Sequence, residues 1–397
     1  MCKRISSLFL LCLLCFSLAY GQKAKYQTFE NINLGTGASV IGCFIQDSQG
    51  LIWIGSNKGL YSYDGYSVQS HFIVDERSNT QIYCGVIVDK TLLYLGTDNG
   101  ILIYNLQTDR YEQTPAEFPT DVRTLSLQGD NLWMGTLNGL YSVTLSNKKL
   151  KYFDRKEYRK LPHQTIYSII RTHDNQIYIG TYNGLCRYLP GNDDFIKIAL
   201  PLNPHKNNQF INYLLEDTVR HCIWIGTEGN LLKYSIVDES IRQIEMFHDN
   251  SVKSLALDGD FRLLVGTDNG LYVYNESEPS QYVMHDSRNL NSLSNNIIWS
   301  IFTDQNQNSW IGTDYGISLS RYSRTLQYVP ISEITGTGDG NQFYSIFRDS
   351  RNNYWFGGTN GIISVNQSIG NHSGATWYNM GDKNYPIPHC YCRCRNH

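Results

Sequence analysis

The side chains best suited to bind a ligand are aromatic rings that recur at one position of a repeated pattern. That position lies thirteen residues before a recurring glycine and holds Tyr83, Tyr167, Tyr213, Trp299 and Tyr344. Gly42, Val122 and Lys253 occupy it in the other copies. Aromatic faces can stack on the CH-rich faces of sugar rings, so these residues are candidate ligand-binding groups at a channel mouth. The same rings could instead pack between neighbouring structural elements, and the sequence leaves both interpretations open.

The sequence contains none of the motifs that indicate enzymatic chemistry. It has no G-x-S-x-G elbow, no phosphate-binding loop ending in Gly-Lys-Ser/Thr and no H-E-x-x-H zinc helix. Three cysteines crowd the last residues with single-residue spacing, which lacks the paired C-x-x-C geometry of zinc ribbons. We therefore expect no catalytic residue, no metal site and no cofactor.

Composition and charge narrow the class of protein. A formal net charge of -3 argues against a nucleic-acid partner, which normally requires a basic surplus. Hydrophobic residues make up 41% of the chain and aromatic residues 13%, enough for a sizeable core. Tyrosine, isoleucine and valine are plentiful, which favours β-structure.

The recurring glycine belongs to an aromatic-x-Gly-Thr-x-x-Gly motif that is written eight times, with first glycines 39 to 46 residues apart. These first glycines are Gly55, Gly96, Gly135, Gly180, Gly226, Gly266, Gly312 and Gly357. Tryptophan opens the motif at Trp53, Trp133, Trp224, Trp310 and Trp355, where we expect it to pack between repeats. Alternating runs before and after each motif predict four strands per repeat, which is one blade of a β-propeller.

Two further positions of the repeat are interpreted as structural. A second glycine follows the first by four residues and predicts a hairpin turn with positive φ; Asn230 takes its place in the fifth copy, where we expect the same backbone conformation. Asp47, Asp258, Asp304 and Asp349 lie eight residues before the first glycine, and we expect them to cap turns rather than act as acids or bases. Cys43 and Cys84 are interpreted as small packing residues.

The repeats resemble the two-component-regulator propeller repeat, whose consensus reads roughly V-x-x-I-x-x-D-x-x-G-x-L-W-I-G-T-x-x-G-L-x-x-Y. The resemblance covers about residues 26 to 366. That repeat builds the periplasmic sensor region of bacterial hybrid two-component histidine kinases. The resemblance therefore implies a sensor that recognises oligosaccharides or another small ligand and relays occupancy to a kinase core. No histidine of this chain is followed by glutamate, so the phosphoacceptor box of such kinases is missing here.

We predict an all-β fold: a seven-bladed propeller of four-stranded antiparallel blades, followed by the first blade of an incomplete second propeller. The predicted segments are a signal peptide at 1–21, the propeller at 22–325, the extra blade at 326–369 and a frameshifted or disordered tail at 370–397. Lys25–Glu30 is predicted to close the seventh blade by adding a strand from the opposite end of the chain. A single eight-bladed ring is the alternative.

Three functions compete on the sequence alone. The first is a periplasmic sensor whose full-length parent is anchored in the inner membrane and forms a homodimer. The second is a propeller glycan hydrolase or lyase, although no acidic pair stands out from the repeats. The third is a passive interaction scaffold or a nonfunctional fragment. No segment after the signal peptide is apolar enough to cross a membrane. Inter-blade loops, which vary most in length, are the expected recognition face.

Overall fold

The computed structural model describes residues 28–71 except 36 and 38, 80–202, 208–322 except 249, 343–358 except 352, 361–365 and 375–379. The chain divides into two compact units, 1–322 and 323–397, and each is described by itself. The predicted signal peptide and the cysteine-containing end of the tail lie outside the described residues. Among the described residues, no helix is long and apolar enough to cross a bilayer.

The first unit contains seven four-stranded antiparallel sheets, as predicted. Blade one comprises β2 (Ile41–Gln46), β3 (Ile52–Ser56), β4 (Gly59–Tyr63) and β5 (Val68–His71). Blade two comprises β6 (Ile82–Val88), β7 (Leu92–Thr97), β8 (Gly100–Asn105) and β9 (Arg110–Glu112). Blade three comprises β10 (Val122–Gln128), β11 (Asn131–Thr136), β12 (Leu140–Thr144) and β13 (Lys149–Phe153). Blade four comprises β14 (Ile166–Arg171), β15 (Ile177–Thr181), β16 (Gly184–Leu189) and β17 (Asp194–Ile198).

The remaining blades of the first unit follow the same order. Blade five comprises β18 (Ile211–Asp217), β19 (Cys222–Thr227), β20 (Leu231–Ser235) and β21 (Ile241–Gln243), followed by a single 3-10 turn at Glu245–Phe247. Blade six comprises β22 (Val252–Leu257), β23 (Leu263–Thr267), β24 (Gly270–Tyr274) and β25 (Gln281–Val283). Blade seven comprises β26 (Ile298–Thr303), β27 (Ser309–Thr313), β28 (Gly316–Ser320) and β1 (Glu30–Ile32).

The seven sheets form a closed ring around a channel. The first strand of each blade contacts the first strand of the next, and β26 of blade seven contacts β2 of blade one. Buried clusters join adjacent blades; one of them unites Trp310 of blade seven with Phe44 and Tyr63 of blade one. The alternative of a single eight-bladed ring is therefore wrong.

Blade seven is completed by a strand from near the other end of the chain. β1 pairs antiparallel with β28, with Glu30 opposite Leu319 and Ile32 opposite Ile317. Asn31 strengthens the junction, because its side chain donates to the Ser292 carbonyl at 2.9 Å and accepts from Ser318 at 2.7 Å. The predicted closure is confirmed, but the strand begins at Glu30, five residues later than expected, and residues 25–27 of the predicted segment lie outside the described residues.

The first motif glycine is required by close blade packing. A Cβ on Gly96 would lie 2.4 Å from the Cys84 sulfur and 2.8 Å from a methyl carbon of Val122 in the next blade. These distances are too short for any side chain, so the glycine lets the two blades touch. The motif threonine binds its own turn: the Thr97 hydroxyl donates to the Gly100 carbonyl at 2.9 Å.

The second motif position does not always adopt positive φ. Gly59, Gly100 and Gly184 do so, but Gly139 and Asn230 do not, and the prediction is wrong at both positions. Asn230 lies in the fifth copy. In that copy the Thr227 backbone N–H donates to the Asn230 carbonyl at 2.9 Å. The following strand begins one residue later, at Leu231, so a different turn relieves the left-handed requirement.

The aspartates at the blade turns have the structural role that the sequence predicted. Asp304 accepts the backbone N–H of Asn308 and, through its second oxygen, the indole N–H of Trp310, both at 2.9 Å. The same indole bond recurs at 3.0 Å between Asp47 and Trp53. Where the motif tryptophan is replaced by leucine, Asp258 instead pairs with Arg262. Each of these three carboxylates therefore joins a turn to a side chain of its own blade.

The second unit contains one four-stranded sheet among its described residues. Its strands are β29 (Phe343–Arg348), β30 (Tyr354–Gly358), β31 (Gly361–Val365) and β32 (Ala375–Asn379). The sheet extends past position 369, where the sequence analysis placed the end of the blade, because β32 pairs with β31. The predicted tail therefore includes the fourth strand of this sheet.

Candidate functional site: the mouth of the propeller channel

Every inner strand of the first unit carries a β-bulge near its start. The register skips one residue in each strand; in β6, Ile82 pairs with Thr97 and Cys84 with Gly96, so Tyr83 is left out of the ladder. A bulge re-aims a side chain and is a common device next to binding sites. The bulged residues are Gly42, Tyr83, Arg123, Tyr167, Asn212, Lys253 and Trp299. We call these seven residues, at the end of the channel where the inner strands begin, the mouth.

Counting from the glycine misplaced two members of the mouth. In blade three the bulged residue is Arg123, whereas Val122 pairs with Thr136 and is fully buried. In blade five it is Asn212, and Tyr213 pairs with Gly226. The count fails because the β-hairpin that separates the bulge from the motif glycine is one residue shorter in blade three and one residue longer in blade five than in the other blades. The aliphatic residue that precedes each bulge, from Ile41 to Ile298, is the sequence signal that would have found both.

Tyr213 therefore belongs to a different layer of the channel. In that layer the other blades carry small residues, and their hydroxyls bind the backbone of the next blade. Ser168 accepts the N–H of Leu214 at 3.0 Å, and Ser254 accepts the N–H of Ile301 at 2.8 Å. Cys43 and Cys84 occupy the same register position, which agrees with their interpretation as packing residues. Burial raises the pKa of the Cys43 thiol to about 12, so the thiol is held in its neutral form.

Arg123 and Tyr83 form one side of the mouth. The Arg123 guanidinium carbon lies 3.8 Å from the centre of the Tyr83 ring, a stacked cation–π geometry. Both side chains are partly exposed. The Arg123 Nε is buried and has no hydrogen-bond partner among the described residues. This side of the mouth combines an aromatic face with a cation.

Lys253, Glu228 and Asn212 form a hydrogen-bonded network on another side of the mouth. Lys253 donates to the Glu228 carboxylate at 2.7 Å, Asn212 donates at 3.1 Å and Ser251 donates at 2.7 Å. Burial opposes the charge of Glu228, but the bonds from Lys253 and Ser251 outweigh it and hold the pKa of the carboxyl below its usual value. The lysine and the glutamate therefore neutralise each other.

The remaining aromatic members differ in how freely they face solvent. Trp299 is 41% exposed, and its indole N–H donates to Asp314 at 3.0 Å. The Tyr167 ring lies 4.8 Å from Phe210, which lies 4.9 Å from Tyr182. Tyr167 thus packs within an aromatic cluster, whereas Trp299 offers a face to a ligand.

Tyr344 is not part of the mouth. It occupies the bulge of β29, in the second unit, and its strand is not one of the seven that form the ring. Its side chain is 71% exposed. Of the five predicted aromatic residues, Tyr83, Tyr167 and Trp299 therefore share the ring position.

The opposite end of the channel offers a second candidate surface. An open depression of ≈ 500 Å³ lies where the inner strands of blades seven, one and two end, and Phe44, Val86 and Phe302 line it. Asp304 reaches its edge, but its carboxylate is bound to the indole of Trp310. Gln46 and Thr303 also line the depression, but both are engaged: Gln46 accepts the Gln305 N–H at 2.8 Å and Thr303 donates to the Leu257 carbonyl at 2.7 Å.

A serine–histidine–aspartate arrangement that the sequence did not indicate lies between blades one and two. The Ser62 hydroxyl lies 2.8 Å from His71 Nε2, and His71 Nδ1 lies 3.2 Å from Asp109 and 2.7 Å from the Tyr104 hydroxyl. Ser62 is only 3% exposed, so its hydroxyl cannot reach a substrate. Burial lowers the pKa of His71 despite the opposing charge of Asp109. The cluster is best explained as a bridge between the outer strands of two blades.

One surface cluster resembles a metal-binding group. Ligand atoms of His173, Asp174 and Glu216 lie within 4.8 Å of one another. Both Glu216 oxygens are engaged by His173, through its backbone N–H at 2.9 Å and its ring nitrogen at 2.6 Å. The arrangement is complete as an ion pair, and the Glu216 contact raises the pKa of His173.

Comparisons with known proteins agree with this architecture. The two component regulator propeller family matches residues 35–58, 160–183 and 337–360. The extracellular domain of the hybrid two component system BT4673 from B. thetaiotaomicron is 63% identical, with a TM-score of 0.73 over 91% of this chain and 48% of that one. The corresponding domain of BT3049 from the same organism is 20% identical, with a TM-score of 0.66 over 89% of this chain and 50% of that one, and shares the fold.

A curated protein from a second organism also matches part of this chain. Histidine kinase P4 of Formosa agariphila is 28% identical over 277 residues, which is 64% of this chain and 20% of that protein. The chain thus spans about half the length of the matched structures and a fifth of this curated relative.

Proposed function

Because this chain carries two component regulator propeller repeats, we propose that it is the ligand-sensing region of an extracytoplasmic receptor of the hybrid two-component class. The 63% identity to the extracellular domain of BT4673 carries this proposal. In this proposal, a kinase core elsewhere in the parent protein receives the signal. The proposed location is periplasmic, with the parent anchored in the inner membrane and acting as a homodimer.

The mouth is the proposed ligand site, and an oligosaccharide is the proposed ligand. Tyr83 and Trp299 supply aromatic faces for sugar rings, while Asn212 contributes a polar amide from blade five. The site stands on a closed ring of seven blades, so binding would cost little ordering of the scaffold. Signalling then requires that the ligand bind one arrangement of the receptor more tightly than another.

Calorimetric titration of the full chain with a panel of polysaccharide-derived oligosaccharides tests the proposal. We expect one class of oligosaccharide to bind, and Tyr83→Ala and Trp299→Ala to weaken it by about threefold to tenfold, as loss of an aromatic contact of about 0.5–1.5 kcal/mol predicts. Tyr66→Ala is the matched control, since Tyr66 is 97% exposed in the turn between β4 and β5.

The outcome separates the sensor from the alternatives. Turnover of a bound oligosaccharide would favour the propeller hydrolase or lyase, which needs carboxylates free to act on a ligand. At the mouth, Glu228 and Asp314 are both engaged by donors, and this arrangement gives the enzyme alternative little support. Absence of heat with every oligosaccharide class would refute sugar sensing and favour the passive scaffold.

A further inference from the structure

Arg123 holds a positive charge at the mouth that no carboxylate neutralises among the described residues. Its contact with the chain is the Tyr83 ring, 3.8 Å from the guanidinium carbon. No ion pair joins it to a described residue, and its buried Nε has no hydrogen-bond partner there. A buried donor without a partner costs about 1–3 kcal/mol, so this arrangement is unfavourable for the fold on its own.

Three other half-buried cations of the first unit are paired. Lys253, also at the mouth, contacts Glu228 at 2.7 Å, and Arg220 contacts Asp217 at 2.6 Å. Arg262 contacts Asp258 at 2.7 Å. Arg123 differs from these three, since stacking on an aromatic ring covers one face of its guanidinium and leaves its charge unmatched.

We propose that the mouth recognises an acidic oligosaccharide, and that Arg123 binds its carboxylate or sulfate group. This inference rests on the proposed function and specifies its ligand class. The planar guanidinium presents paired N–H donors that match the two oxygens of a carboxylate or sulfate. Stacking on Tyr83 holds that plane in place, so little side-chain freedom is lost when the anion binds.

Other groups of the mouth fit an acidic sugar ring. Trp299 exposes an aromatic face that can stack on a sugar. Lys253 and Glu228 compensate each other, so Arg123 is the unpaired cation of the mouth among the described residues. The Asp314 carboxylate, which accepts the Trp299 indole N–H, lies in blade seven, three blades away from Arg123 in blade three. A neutral sugar would stack on the same rings but would leave the guanidinium without an anionic partner.

Titration calorimetry with three matched trisaccharides tests the inference: galactotriose, trigalacturonate and a sulfated galactotriose. The variants are Arg123→Gln, Arg123→Lys and Arg171→Gln. Arg171 is the matched control, because it is an exposed arginine at the other end of an inner strand, β14. Thermal unfolding of each variant checks that the propeller remains folded.

We expect at least one acidic trisaccharide to bind the unsubstituted chain tenfold or more tighter than galactotriose. Arg123→Gln should remove that preference, Arg123→Lys should retain part of it, and Arg171→Gln should leave it unchanged. The carboxylate and sulfate arms show which anion is bound.

Three results would overturn the inference. Equal or tighter binding of galactotriose would refute it while leaving the sensor proposal standing. Equal weakening of all three trisaccharides by Arg123→Gln would assign Arg123 a packing role. Absence of binding by both acidic trisaccharides would refute the acidic ligand, while the oligosaccharide panel described under the proposed function decides sugar sensing separately.

Discussion

Removing the Asp304 carboxylate should lower the free energy of unfolding, mainly because the buried indole N–H of Trp310 in blade seven loses its acceptor. Asp304 and Trp310 are 5% and 3% exposed, and their bond is 2.9 Å long. In Asp304→Ala the buried indole N–H loses its acceptor, which costs about 1–3 kcal/mol. The Asn308 backbone N–H also loses its acceptor in this variant. Asn308 is half-buried, so water can replace part of that bond. We expect a total loss of about 2–4 kcal/mol in the free energy of unfolding.

A double-mutant cycle isolates the indole contribution. Trp310→Phe deletes the N–H donor while keeping an aromatic ring, so Asp304→Ala should cost about 1–2 kcal/mol less in the Trp310→Phe background than in the unsubstituted chain. Urea unfolding followed by far-ultraviolet circular dichroism measures all four proteins without relying on tryptophan fluorescence. Strict additivity of the two substitutions would refute the argument, because it would mean that the bond contributes nothing to stability.

The two remaining predictions concern contacts between blades. Ser254→Ala leaves the buried N–H of Ile301 without its acceptor and should lower the free energy of unfolding by about 1–3 kcal/mol. Ser254→Thr keeps the hydroxyl and should retain most of the stability of the unsubstituted chain. Equal urea midpoints for Ser254→Ala and the unsubstituted chain would contradict a stabilising role of the bond. The pKa of His71 is lowered in the fold by burial, so the unfolded chain binds a proton more readily and stability should fall as the pH drops below roughly 6.5. His71→Gln should flatten the stability profile below about pH 6.5, and an unchanged slope there would show that His71 does not titrate differently in the two states.

The repeat pattern predicted the architecture well because it reports forces that act identically in every blade. A glycine is required at the position of Gly96 because two blades touch there. A tryptophan at the position of Trp310 donates its indole N–H to the turn carboxylate of the same blade. Strand number and blade number follow directly from such residues. The structure confirms the propeller and places Glu30 in the strand that closes it.

The mouth was less predictable because its position depends on the length of the hairpin between the bulge and the motif glycine. A hairpin that is one residue shorter or longer moves every residue that is counted across it, which exchanged Arg123 for Val122 and Asn212 for Tyr213. A period-two strand offers no warning of the error, since a shift of one residue turns a side chain to the other face. The partners of Ser254 in the next blade were equally hidden, because the sequence contains no sign of which backbone N–H a hydroxyl will meet.

The closing strand also determines when the propeller can finish folding. Its hydrogen bond between Asn31 and Ser318 joins residues 287 positions apart. Contacts of such long range must wait for their loop-closure entropy to be repaid, so they form late and slowly. At synthesis rates of about 5–20 residues per second, a newly emerged Asn31 waits roughly 15–60 s before its partner exists. During that interval β1 lacks the strand with which it pairs, and the open ring is the stage at which the nascent protein is most exposed to association with other chains.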